Sequence, residues 1–213
     1  MTARVSSSQV YNYFRFFNTR APVSASTVRS RACRVDTASD DASPRETLPL
    51  QEELIEELFM ATQAIADASS ADEASDIALR LIQQHIPCES AAVISAGNND
   101  TKLRFLAASG PSAAEVSGLT LPMDAGFAGQ SFQGGHDFIV RDAAGDERHL
   151  DSVDAETGYQ THEMLVASLR IDHMPVGCIE LINPARPFTR EDLEIVRTVA
   201  RPLAAFLDSQ SLS

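Results

Sequence analysis

The chain has 213 residues, 44% of them hydrophobic and 22% charged, with a formal net charge of −13; that length can bury a full core, and no run reaches the ~18 consecutive apolar residues of a membrane span. The charge is uneven: residues 1–35 hold six Arg and no acid, which leaves −19 on the other 178. An acidic body of that size repels nucleic acid, so DNA and RNA are excluded as expected partners.

Residues 1–48 read as a basic, then acidic, flexible tail and linker. Pro, Ser, Thr and Ala dominate 19–48, and Asp40-Asp41-Ala42-Ser43-Pro44 is a breaker cluster. Residues 10–17, VYNYFRFF, stand apart with five of the chain's 13 aromatics. Val10, Tyr13, Phe14 and Phe17 fall on one face of a short helix. This segment is a candidate targeting segment, since it is Arg-rich and acid-poor, or a docking helix for a protein partner. The expected location is cytoplasmic, or organellar if residues 1–35 act as a transit peptide.

The first helix is expected from about Leu50, on the stripe Leu54, Leu58, Ala61 and Ile65. A second starts at Ser70, where Ser70-Ala71-Asp72-Glu73 reads as a capping box, and closes at Pro87. Strands are expected over 90–96 and 102–109, around the turn Gly97-Asn98-Asn99-Asp100. A short strand over 118–122 follows, then a helical turn near Gly126 capped by Asp124. Residues 137–141 form a fourth strand and 142–163 a polar loop with a helical piece. The strands 163–171 and 176–183 are the strongest. The last helix starts at Thr189, with the seam Leu193, Val196, Ala200, Leu203 and Leu207, and Pro202 should bend it. This is an α+β order: helices, an antiparallel sheet, and a closing helix.

Cysteines and histidines supply little chemistry. Cys33 lies in the tail, Cys88 precedes the first strand and Cys178 lies in an apolar strand, with no CxxC. That pattern favours reduced thiols over a disulfide framework. The five histidines show no metal-ligand spacing. No nucleophile–base pair or phosphate loop is recognisable, so the chain is expected not to be an enzyme. Glu180 alternates with Val176, Cys178 and Ile182 on one strand face. A carboxylate there needs a partner or a polar cavity, because burying it unpaired is costly. The amides of Gly126-Phe127-Ala128-Gly129 open a helix and suit an anion.

The run from Gly126 to Asp192 resembles the GAF domain family of small-molecule sensors, most closely the cyclic-nucleotide-binding branch of phosphodiesterases and adenylyl cyclases. Its most specific part is Asp154-x-x-Thr157-Gly158-Tyr159-x-Thr161. The resemblance covers about 50–209 and implies a GAF/PAS-like domain over 49–209, with 210–213 as a C-terminal tail. A central antiparallel sheet of about six strands is then expected. The terminal helices would cover one face, often building a homodimer, and a ligand pocket with a lid would occupy the other.

By the same resemblance Asp154, Thr157 and Thr161 match lid positions that contact ligand, and Glu180 matches the carboxylate beneath it. With Phe127 and Ala128 at the helix start, these six residues are the expected ligand site. The first ligand candidates are cGMP and cAMP, with guanine favoured because its N–H edge suits carboxylates. The chain departs from the family in three places. No aromatic stands in Ala107-Ala108-Ser109-Gly110 to stack a base, and Leu150 occupies a common aromatic position. In the family's Asn-Lys-Phe-Asp-Glu motif, Asn183, Phe188 and Asp192 match, but Pro184 replaces the Lys and Leu193 the Glu. The motif's Lys–Asp ion pair is therefore not expected. The alternatives are a structural adaptor with an empty pocket and a free methionine-R-sulfoxide reductase. The latter needs clustered pocket cysteines, where only Cys178 is placed. With no catalytic domain in the sequence, output is expected to pass through a partner.

Overall fold

The computed structural model describes residues 35–37, 52–96, 101–148 and 160–211. Among the described residues the first helices are α1 (Glu52–Ala66) and α2 (Ala71–His85), which pack against each other. Ser70 accepts the Glu73 N–H at 3.1 Å, as the capping box requires. The Glu73 carboxylate turns back to the Ser69 N–H at 2.8 Å rather than to Ser70. The Ile86 N–H still closes on the Ile82 carbonyl, and Pro87 then ends the helix.

The six expected strands all form. They are β2 (Cys88–Ser95), β3 (Lys102–Ser109), β4 (Thr120–Pro122), β5 (Phe138–Val140), β6 (Met164–Ile171) and β7 (Met174–Pro184). A seventh, β1 (Val35–Thr37), comes from the stretch read as linker and pairs antiparallel with β5. The sheet order is β1-β5-β6-β7-β2-β3-β4, antiparallel throughout. Between β3 and β4 lies the short helix α3 (Ala113–Val116), and between β4 and β5 lies α4 (Gly126–Gly134). The chain's last described element is α5 (Arg190–Ser211), which runs through Pro202.

Alternation along the strands divides the core in two. Val93, Leu165, Ala167, Leu169, Ile179 and Leu181 point to the layer of α1, α2 and α5. That layer contributes Leu58, Ile65, Ile82 and the expected α5 seam of Leu193, Val196, Ala200, Leu203 and Leu207. On the opposite face Ile94, Leu103, Phe138, Met164, Val166 and Cys178 meet Phe127 and Ala128 of α4. The terminal helices thus share one face and leave the other to α4.

Two local expectations fail. Val176 does not share the face of Cys178 and Glu180. The β6–β7 register slips between Leu169 and Arg170, so Leu169 faces Gly177 while Arg170 faces Pro175. Val176 falls in the slip and packs on the helix side. Asp124 does not cap α4: the N-cap is Ala125, with no side-chain cap bond.

Candidate functional site

The α4 face of the sheet gathers the unusual chemistry of this chain. Gly126 opens α4 at φ +62°, in the left-handed region that a side chain resists. At Gly129 a Cβ would lie 2.5 Å from the carbonyl carbon of Asp124. Only glycine therefore lets the helix rest on the turn that precedes it. The amides of the first turn have no intrahelical acceptor, so the helix start can receive an acceptor or an anion. No basic residue belongs to α4 itself.

Phe127 and Ala128 are both buried against the sheet. The Phe127 ring tilts against Phe138, with centroids 6.0 Å apart. The guanidinium of Arg148 stands over both rings, 5.1 Å and 5.6 Å from their centroids. Asp146 holds it there through a 2.7 Å bond from Nε to Oδ1. Arg148 escaped the sequence reading because nothing in a polar loop marks one Arg as returning to an aromatic pair.

Beneath α4, Glu180 is 8% exposed. Its cross-strand neighbours are Ala92 and Val166, and Cys178 and Ile182 flank it on its own face. No hydrogen bond reaches its carboxylate among the described residues. Burial without a partner pushes its pKa up to about 7. Ser168 lies directly across from Cys178, and its buried Oγ also lacks a hydrogen-bond partner. Ser168, Cys178 and Glu180 thus make a polar row on an otherwise apolar floor. Burial raises the Cys178 thiol well above its ordinary value, and the neighbouring Glu180 charge adds to that. A serine within an apolar strand carries no sequence signal, so only the register shows this row.

The structure brings Phe127, Ala128 and Glu180 to one face. Thr161 is buried just ahead of β6. Asp154 and Thr157, with His149 and Leu150, lie outside the described residues. The end of their loop is fixed by Asn183, which sits at φ +52°. Asn183 Oδ1 accepts the His162 N–H at 2.8 Å, and Nδ2 donates to the Gln160 carbonyl at 2.7 Å. Among the described residues no cluster of three or more His, Cys, Asp or Glu could hold a metal ion.

The ion pair that the sequence seemed to forbid is present in another form. Arg186, two residues after Pro184, pairs with the buried Asp192. Asp192 also accepts the Thr189 N–H at 2.7 Å and returns its own N–H to Thr189 Oγ1 at 3.2 Å. That is a reciprocal cap at the start of α5.

The GAF domain family model matches residues 70–207. No curated protein matches the sequence. Solved structures similar to this chain include the GAF domain of a phosphoenolpyruvate-protein phosphotransferase from Coxiella burnetii. It is 17% identical, with a TM-score of 0.65, over 73% of this chain and 93% of that one. Free methionine-R-sulfoxide reductase from Neisseria meningitidis, solved with its substrate, is 14% identical with a TM-score of 0.59, over 75% and 93%. The A. aeolicus nlh2 GAF domain in an inactive state is 13% identical with a TM-score of 0.59, over 74% and 97%. At these identities the likeness shows the fold alone.

Proposed function

This chain belongs to the GAF domain family, and from that premise we propose that it is a non-catalytic regulatory module that binds a small molecule between α4 and the floor of its sheet. GAF domains are generally regulatory small-molecule-binding domains. The observation that carries the reading is Glu180, a buried carboxylate with no partner among the described residues. A ligand offering N–H donors would supply the hydrogen bonds that the fold does not. The first turn of α4 would face the acceptor end of the same ligand.

A purine cyclic nucleotide has both ends, a phosphate and a base edge. We take cGMP as first candidate and cAMP as second, with Asp154, Thr157 and Thr161 joining Phe127, Ala128 and Glu180 around it. Output would pass through a protein partner. Mass spectrometry of the protein as purified, under native conditions, tests for a retained ligand. Calorimetry with each nucleotide tests the candidates, and no binding of either at millimolar concentration removes the cyclic-nucleotide reading.

The thiols support a non-catalytic role. A reductase mechanism needs two sulfurs within disulfide reach, with Cα atoms no more than ~7 Å apart. Cys88 stands opposite Pro184 and Ile94 opposite Cys178. Among the described residues the two thiols are therefore six residues apart along the ladder, roughly 20 Å at a strand's rise.

A second reading, an adaptor or homodimer acting through its surface, draws on one observation. Phe59 and Met60 on α1 are 62% and 65% exposed, a neighbouring apolar pair that protein contact would cover. The aromatic segment 10–17 would be a further contact in that reading. Light scattering on wild type and Phe59→Asp decides it.

A further inference from the structure

The three-residue strand β5 follows α4 directly in the chain, and the residues at its two ends are bonded to α5 or to the segment that leads into it. Ahead of the strand, Asp137 is buried. Its Oδ1 accepts the Ser168 N–H at 2.7 Å, and its Oδ2 accepts Arg197 Nε of α5 at 2.6 Å. Arg170 stands 3.9 Å away on the same oxygen. Behind the strand, Arg141 Nη2 donates to the Phe188 carbonyl at 2.6 Å. Its Nη1 pairs with Glu163, whose Oε1 accepts the Phe188 N–H at 2.8 Å. Both polar atoms of the Phe188 backbone are thus taken from the β5–β6 side. Thr189, the next residue, begins the α5 cap. The Phe188 ring is fully buried.

The connection from α4 to Asp137 has no slack. Gly135 ends the helix at φ +61°, with its N–H on the Ser131 carbonyl at 2.8 Å. The buried Ser131 Oγ donates to the His136 carbonyl at 3.1 Å. Asp137 follows at once.

We propose that β5 is the coupling element of this domain: Asp137 on Arg197, and Arg141 with Glu163 on Phe188, transmit displacements of α4 to the first turns of α5. Charge-assisted bonds at both ends make the unit move together or break. The regulatory meaning rests on the proposal that α4 carries the ligand. The mechanical coupling does not.

The test reads hydrogen exchange of peptides covering 190–200, with α2 as the internal control for global loosening. The α4 helix is displaced in two ways, by Gly129→Ala, whose Cβ meets Asp124, and by saturating cGMP. Each is applied to wild type, to Arg197→Gln and to Arg141→Gln. In wild type, either perturbation should change exchange in the first turns of α5 by about fivefold while α2 stays constant. In either variant the change should fall below about twofold, a non-additive cycle. Equal responses in all three backgrounds, or no response of wild type to Gly129→Ala, would overturn the coupling. Failure of cGMP to bind would sink the ligand reading, while the Gly129→Ala arm still decides the coupling. Two anchors on separate sides keep the test alive if one variant does not fold.

Discussion

Arg186 and Asp192 form a two-pronged ion pair, with Nη1–Oδ2 at 2.7 Å and Nη2–Oδ1 at 2.8 Å. The family motif places its cation directly after Asn183, where this chain has Pro184. Moving the cation two residues on, and changing Lys to Arg, gives a planar fork that fits both carboxylate oxygens. Burial alone would raise the Asp192 pKa. The bonds from Arg186 and Thr189 outweigh that and hold it below the ordinary carboxylate value.

The two partners should not be equivalent. Asp192 is buried and serves the α5 cap, whereas the Arg186 side chain is 56% exposed. Asp192→Asn should lower stability by about 2–3 kcal/mol and Arg186→Gln by about 1 kcal/mol or less. Because the Asp192 pKa is depressed, its share of stability is present above the ordinary carboxylate range and lost as pH falls below it. Urea midpoints at pH 7 and pH 3 check both statements.

Glu180 should act in the opposite sense. Its pKa rises from 4.5 to about 7 on folding, so the native state holds a proton that the unfolded chain has released. Stability should therefore fall as pH rises from about 4.5 to above 7, by about 3 kcal/mol in all. Glu180→Gln should remove most of that slope and be the more stable protein at pH 8. Parallel denaturation curves for variant and wild type across this window would contradict the assignment of an unpartnered buried carboxylate.

Ligand affinity should answer to the same residue. Removing a hydrogen bond to a charged group costs about 1.5–3 kcal/mol. Glu180→Ala and Asp154→Ala should each weaken cGMP binding by about tenfold or more. Calorimetry that finds either variant within twofold of wild type would take that residue out of the site.

Cys178 should be inert. Its thiol is fully buried with a strongly raised pKa, and thiolate is the reacting form. In native protein it should resist a thiol reagent that labels it within minutes after denaturation. Free methionine sulfoxide should not be turned over. Turnover abolished by Cys178→Ser would reverse the non-catalytic reading.

The sheet was legible in the sequence because its main strands are short apolar runs that end at turn residues. α2 was legible from its cap, and α5 from its apolar seam. What stayed hidden depended on placement that no local pattern carries. Val35-Asp36-Thr37 is too short to alternate. Arg186 sits two positions from where a motif would look for it. Asp137 and Arg197 meet across 60 residues, and Ser168 reaches the polar row only through its register with Cys178. Val176 was misplaced because a slip in the ladder breaks the period of two on which face assignments rest.

The family match begins at residue 70, after α1 and β1. Yet α1 seals the helix layer with Leu58 and Ile65, and β1 occupies the outer hydrogen-bonding edge of β5. The packed unit therefore extends beyond the residues that the family model matches. A truncation drawn at the homology boundary would uncover apolar helix surface on one side and an unpaired strand on the other. The second is a template for sticking to further copies. Such a fragment should be judged by its aggregation before any loss of binding is blamed on the site.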